Sequence, residues 1–177
     1  MIWKFELRDH QPDWAAYYAV EISQLRRLLP MALAFEHIGS TSIQTIAAVP
    51  TVDILGGVRN LSEVTNAVTK LLVAAGWEHR PDIDKMIPGR RFFDKPLGLE
   101  HPTTRTHHLH IVQYQAREWL NPIVFRDYLR EHPEVAGQYE ELKRTLASRG
   151  YENPSDYSAQ KADFVARVLQ LAGKQNS

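Results

Sequence analysis

Two neighbouring stretches decide how the chain folds: Glu36-His37-Ile38-Gly39-Ser40-Thr41-Ser42, and then Pro50-Thr51-Val52-Asp53-Ile54-Leu55-Gly56-Gly57-Val58. Ala34 to Ile38 reads as a short strand, and Gly39 to Ser42 as a turn entering a small helix or irregular segment. Pro50 to Val58 is the clearest strand, rich in β-branched residues and closed by Gly56-Gly57. A glycine-serine turn that opens a helix can turn backbone N–H groups and hydroxyls toward a phosphate. A carboxylate on the next strand, here Asp53, can hold a divalent cation against that phosphate. The same residues also fit a tight turn with a capping serine and a strand-edge aspartate bound to water.

Upstream, Trp14, Tyr18, Ile22, Leu25 and Leu29 recur every three or four residues, one face of an amphipathic helix. Asp13 is its expected N-cap and Pro30 its end. Downstream, Leu61 to Ala75 is a second expected helix, with Val64, Val68, Leu71 and Leu72 on one face and Gly76 just past its end. Extended stretches follow around Arg90 to Phe93 and Thr106 to Val112, separated by a loop holding Pro96, Gly98 and Pro102. The last third is helical. Leu120, Val124 and Tyr128 share one face, and Val135, Tyr139, Leu142 and Leu146 another, with Gly150 as a stop. Asn153-Pro154 caps a final helix that carries Tyr157, Phe164, Val165, Val168 and Leu169 inward. This order predicts an α+β (mixed α/β) fold with a small mixed β-sheet and a C-terminal helical cap from roughly 116 to 177. It is not a regular βαβ repeat. Residues 1–177 are expected to form one domain.

Longer motifs add a family likeness. Glu36 to Ser42, Pro50 and Asp53-Ile54 resemble the signature of the GrpB family of nucleotidyltransferase-like proteins. Arg90-Arg91-Phe92-Phe93, His107-His108-Leu109-His110-Ile111-Val112 and Phe125-Arg126-Asp127-Tyr128-Leu129-Arg130 resemble it as well. So do His132-Pro133-Glu134, Leu142-Lys143, Tyr157 and Lys161, and the likeness covers nearly the whole chain. The resemblance implies the polymerase-β-like nucleotidyltransferase fold, with the Gly-Ser element at a helix start and the aspartate on the following strand. That superfamily places two acids one residue apart on this strand and a third on a later one. Here Leu55 stands where the second acid belongs, and strand alternation turns it the same way as Asp53. The family pattern also has Pro-Gly-Leu and a lysine before the proline, where this chain reads Ile43 to Val49 and then Pro50.

The segment Thr106 to Val112 alternates. With Leu109 and Ile111 facing the core, His108 and His110 emerge together on the other face, about 7 Å apart. By the fold likeness this is the strand that carries the third acid. Asp53, His108 and His110 are therefore the candidate catalytic and metal-binding residues, joined in one variant by His37 or Glu36. Such donors suit zinc, manganese, iron or nickel. Magnesium or manganese is the expected cation for phosphate chemistry, with zinc as the other choice. Paired strand histidines that merely hydrogen-bond across the sheet fit the same pattern. His107 shares the core face, and His132 is positioned to cap the helix at Pro133, whereas His10, His79 and His101 carry no pattern.

Gly39, Ser40, Thr41 and Ser42 are the candidate phosphate-binding residues, together with Arg90, Arg91 and Lys161. Lys85, Arg90, Arg91 and Lys95 form the densest basic cluster, beside Phe92 and Phe93. Arginine matches phosphate bidentately and an aromatic face stacks a base, although a solvated basic strand edge has the same composition. Lys161 lies within the apolar stripe of Tyr157, Phe164 and Val165, so its amine either snorkels out or reaches into a cleft. Arg126 and Asp127 read as a structural ion pair.

Lys+Arg and Asp+Glu both number 21, a balance that argues against a nucleic-acid partner or an anionic membrane surface. There is no cysteine, which excludes disulfides, thiolate zinc sites and cysteine nucleophiles. No signal-peptide pattern and no run of about 20 apolar residues occurs, so a cytoplasmic location without membrane insertion is expected. Dinucleotide and P-loop glycine motifs are absent, and Gly-Ser-Thr-Ser lacks the nucleophile elbow of hydrolases. Three readings follow. The first is a nucleotidyltransferase-like enzyme acting on a nucleotide or other phosphate-bearing small molecule. The second is a catalytically inactive nucleotide-binding sensor or adaptor of the same fold. The third is a metal-dependent hydrolase built on Asp53, His108 and His110.

Overall fold

A computed structural model describes residues 6–96, 105–149 and 154–175. The helices are α1 (Asp13–Leu28), α2 (Asn66–Ala74), α3 (Pro81–Met86), α4 (Arg117–Glu131), α5 (Pro133–Ala147), α6 (Pro154–Ala159) and α7 (Ala162–Gln175). The strands are β1 (Ala34–Ile38), β2 (Val52–Val58), β3 (Glu78–His79), β4 (Arg90–Pro96) and β5 (Arg105–Gln113). They form one five-stranded sheet in the order β1-β2-β5-β4-β3. β2 and β5 pair in parallel and every other neighbour is antiparallel. The architecture is thus α+β with a mixed sheet, as the element order predicts.

The sheet is covered on both faces, which is why its central strands are nearly continuous in apolar residues. On one side Val52, Ile54 and Val58 of β2, Leu109 and Ile111 of β5, and Phe93 of β4 pack against Trp14, Ile22 and Leu25 of α1 and Leu72 of α2. On the other side Ile38, Leu55 and Val112 meet Trp119 of α4. A third cluster joins the cap helices to the segment after the Gly-Ser turn: Ile43 and Ile46 pack with Tyr128, Leu129, Tyr139 and Val168. Among the described residues, no helix is long and apolar enough to cross a membrane.

Several sequence expectations are corrected. Asp13 is the first residue of α1, not its cap; Pro12 holds the cap position, and the helix ends at Leu28 before reaching Pro30. The expected helix over 61–75 splits into a 3-10 turn, Leu61–Glu63, and α2. Thr65 takes the cap by accepting from the Val68 N–H, and Leu71 is about half exposed while Leu72 is buried. On α4 the buried side is Trp119, Arg126, Tyr128 and Leu129, while Leu120 and Val124 are exposed. A buried guanidinium occupies a place in the stripe that an apolar pattern cannot reveal. The final helix is two helices, broken between α6 and α7 at Gln160 and Lys161. The loop expected at Gly98 and Pro102, His101, the stop at Gly150 and the cap at Asn153 lie outside the described residues.

Gly56 and Gly57 do not close β2; they lie inside it, because rings rest on them. A Cβ at Gly57 would stand 2.8 Å from carbons of both Trp119 and Tyr114, and one at Gly56 would stand 3.1 Å from the Phe35 ring. Gly57 therefore lets α4 approach the sheet. Gly57→Ala is expected to cost about 1–3 kcal/mol through overpacking, seen as a lower urea midpoint at unchanged slope. An unchanged midpoint would show that the rings do not need the glycine.

Candidate functional site

The parallel register of β2 and β5 sets Asp53 opposite His108 and Leu55 opposite His110. Alternation sends these four side chains to the face covered by α4. His108 Nδ1 lies 3.0 Å from Asp53 Oδ1, and His110 Nε2 lies 3.8 Å from the same oxygen. One donor atom from each residue fits within 4.8 Å of the others, and this is the one such group of metal-ligating side chains among the described residues. Burial would raise the pKa of Asp53. The hydrogen bond from His108, with the His110 ring N–H facing the same oxygen from 3.8 Å, outweighs it and holds the carboxyl well below the usual carboxylate range. Burial also lowers the pKa of His110, against the pull of Asp53.

Arg90 fixes the tautomer of His110. Its Nη1 lies 3.2 Å from His110 Nδ1, and because a guanidinium can only donate, that nitrogen accepts. The neutral ring therefore carries its proton on Nε2, the atom facing Asp53. Phe92, the residue of β4 paired with His110, packs against both imidazoles at ring-centroid distances of 5.2 and 4.9 Å.

The Gly-Ser turn closes over the carboxylate. Gly39 has φ +71°, and a Cβ there would fall 2.1 Å from Asp53 Oδ2, so no side chain fits. The next residues form a 3-10 turn, Ser40–Ser42. Two of its hydroxyls hold the turn itself: Ser42 Oγ donates to Gly39 O at 2.6 Å, and Thr41 Oγ1, also in contact with His37 Nε2, donates to Thr51 O. Ser40 instead meets the hydroxyl of Tyr139. Two guanidiniums of α4 anchor the approach. Arg126 donates to Glu36 at 2.7 Å and to His37 O at 2.9 Å, while Arg130 donates to Ser42 O. Glu36 is thereby engaged away from Asp53. His37 stacks on Tyr18 toward α1, neutral because burial pushes its pKa down to about 4. Neither joins the cluster of Asp53, His108 and His110.

The basic cluster divides. Arg90 stays beside His110, whereas Arg91 points the other way, 4.0 Å from Asp84, and Lys95 pairs with Glu21 at 2.8 Å. Lys161 lies with its amine 4.3 Å from the Tyr157 ring centroid and with no hydrogen-bond partner for that amine among the described residues. Burial lowers its pKa, and the charge of Asp53 opposes this. Lys143 has no counterpart among the sequence-derived site residues. It is 1% exposed, its Nζ donates to Ala47 O, and it lies over the Tyr139 ring. Its place on the stripe of Tyr139 and Leu146 was the available signal. Beside His110, a cavity of about 250 Å³ opens between Leu55 and the start of α4.

Residues 4–171 match the profile described as GrpB protein. The chain belongs to the GrpB family. It is 35% identical over 164 residues to the glutamate-rich protein GrpB of Alkalihalophilus pseudofirmus, covering 92% of each chain. It is 37% identical over 161 residues to a UPF0157 protein of Deinococcus radiodurans, covering 91% of this chain and 78% of that one. The crystal structure of conserved protein GrpB from Enterococcus faecalis superposes with a TM-score of 0.83 at 32% identity, over 97% of this chain and 99% of that one.

Lys143 yields a pH prediction. Burial first, then the charge of Lys161, pushes its pKa from 10.5 down to about 7. Between those values the unfolded chain binds more protons than the folded one, so stability rises with pH across that window. Measured by urea unfolding from pH 7 to 10, the wild-type chain should gain stability relative to Lys143→Met. Parallel profiles would contradict the assignment.

Proposed function

We propose that this GrpB-family chain is a nucleotidyltransferase-like protein that binds a nucleotide or related phosphometabolite with one divalent cation and transfers a phosphoryl or nucleotidyl group. The observation that carries this is the convergence of Asp53, His108 and His110 within 4.8 Å beneath the Gly-Ser turn. Ligands bound at about 2.0–2.2 Å in tetrahedral geometry lie about 3.3–3.6 Å apart, close to the separations already present. The donors fit a cation on two conditions. His108 must free Nδ1, which now donates to Asp53, by carrying its proton on Nε2. His110 must release Nε2 by shifting its proton to Nδ1, so Arg90 must turn away from that ring. Two imidazoles and one carboxylate suit manganese or zinc better than magnesium, which binds through oxygens. Such a cation supplies charge neutralisation to phosphate oxygens.

The protein's own groups complete the task. Asp53 stays ionised across the physiological range. Lys161 offers an ammonium, Ser40 a hydroxyl and Arg90 a guanidinium to the phosphate oxygens. Thr41 and Ser42 keep the turn in shape.

Leu55 favours a second reading, binding without transfer. It is 1% exposed and packed with Ile38, Val112 and Trp119, so an apolar wall occupies the position of a second acid. One carboxylate cannot support a two-cation mechanism.

Thermal unfolding with manganese or zinc and a panel of nucleoside triphosphates tests the proposal. A ligand at a hundred times its dissociation constant adds about 2.7 kcal/mol, or about 2–4 °C per kcal/mol at this size. The midpoint should rise with cation and nucleotide together, and Asp53→Asn should abolish the rise. No shift with any cation would overturn the proposal. Removing the donor that fixes His110 should instead favour the cation: Arg90→Met is expected to bind manganese about tenfold more tightly. Weaker binding would show that Arg90 does not oppose ligation.

A further inference from the structure

We propose that the cavity beside Leu55 is the subsite for the heterocyclic ring of a nucleoside, and that the residue standing in place of a second acid forms its floor. This rests on the metal and phosphate reading above and names the kind of molecule that carries the phosphate. The cavity begins where the cation site ends. Leu55 is paired with His110 and lies two residues along β2 from Asp53, about 7 Å at strand spacing, a distance that a sugar can span between a phosphate and a ring.

Its walls set the chemistry. Ile38, Leu55 and Val112 make an apolar floor, and Ile87 and Pro122 close the sides. A bare phosphate gains nothing from such surfaces. The rim is polar: Arg90 on one side, and Arg117, Glu118 and Asn121 from the first turns of α4 on the other. Asn121 offers an amide donor and an acceptor, Glu118 an acceptor, and the two arginines donors and flat faces on which a ring can stack. Pro122 has no N–H to give the Glu118 carbonyl, which leaves a backbone acceptor outside the helical ladder at the same rim. An aliphatic ligand would leave these groups unmatched. A planar heterocycle, apolar on its faces and hydrogen-bonding at its edge, matches both parts. The volume, about 250 Å³, is below the roughly 300–1,000 Å³ of pockets for whole drug-sized ligands. It suits a ring with its sugar and phosphates outside.

Leu55 is thus given a use. An acid there would place a charge beside the slot, whereas leucine makes it an apolar seat adjoining the cation site.

Calorimetric titration separates this from the parent reading. The probes are tripolyphosphate with manganese, the four common nucleoside triphosphates with manganese, and free nucleosides without metal. The variants are Ile87→Trp, which fills the slot from a side chain already 46% exposed, and Asn121→Ala, which removes a rim amide. Unchanged melting midpoints verify that both fold. At least one nucleoside triphosphate should bind ten times or more tightly than tripolyphosphate. Ile87→Trp should erase that advantage without changing tripolyphosphate binding, and Asn121→Ala should reduce it several-fold. Equal binding of tripolyphosphate and all four nucleotides overturns the ring subsite and leaves the metal reading standing. So does an advantage that survives Ile87→Trp. Free nucleosides that bind, and are lost in Ile87→Trp, while tripolyphosphate with manganese does not bind, uphold the subsite and overturn the metal reading. If no probe binds, both fall.

Discussion

A carboxylate withdrawn from water loses its charge unless donors are brought to it, and in this protein much of the molecule is arranged around meeting that requirement at Asp53. His108 and His110 supply the donors from the neighbouring parallel strand, and Gly39 gives the carboxylate room by having no side chain. β1 pairs antiparallel with β2 so that Ile38 lies opposite Asp53, and the chain turns at the next residue. Arg126 and Arg130 of α4 then hold β1 and the turn by their carbonyls. Sheet register, turn and cap helix converge on one oxygen pair. The cluster is partly buried, and removing one member leaves the others short of a polar partner.

The same cluster constrains chemistry. Arg90, through His110, fixes a proton on the atom that faces Asp53 at 3.8 Å, while His108 donates to the same oxygen at 3.0 Å. Binding a cation there exchanges hydrogen bonds for coordination and displaces the arginine contact. Arg90 adjoins both the cluster and the cavity floored by Leu55, which makes it the natural link between a phosphate-bearing ligand and the cation beside it. Lys161 belongs to the helical cap, and Lys143 has its pKa pushed down to about 7, first by burial and then by the charge of Lys161.

Local periodicity was enough to place Asp53 on a strand and to turn His108 and His110 to one face, and it put Leu55 beside Asp53. The pairing that brings β5 next to β2 in parallel, in the register Asp53 to His108, is a tertiary fact that no local pattern contains. The misread helix faces have the same origin. On α4 a buried arginine occupies an interior position because its partners come from β1, about ninety residues away in sequence. Thr65 displaced a helix start because a side-chain cap outweighs a weak apolar repeat. Lys143 lay on an apolar stripe but reads as a surface residue until Ala47 and Tyr139 are seen around it. The basic run from Lys85 to Lys95 looked continuous, yet strand alternation and separate acidic partners divide it, leaving Arg90 at the site.

The most direct measurement is anomalous diffraction at the zinc edge from crystals of the protein grown with zinc. One peak within about 2.0–2.2 Å of Asp53, His108 and His110, with Arg90 turned away from His110, is the expected result. If zinc binds elsewhere, or not at all, while both imidazoles keep their places beside Asp53, the cluster is a structural clasp and the cation chemistry built on it is wrong.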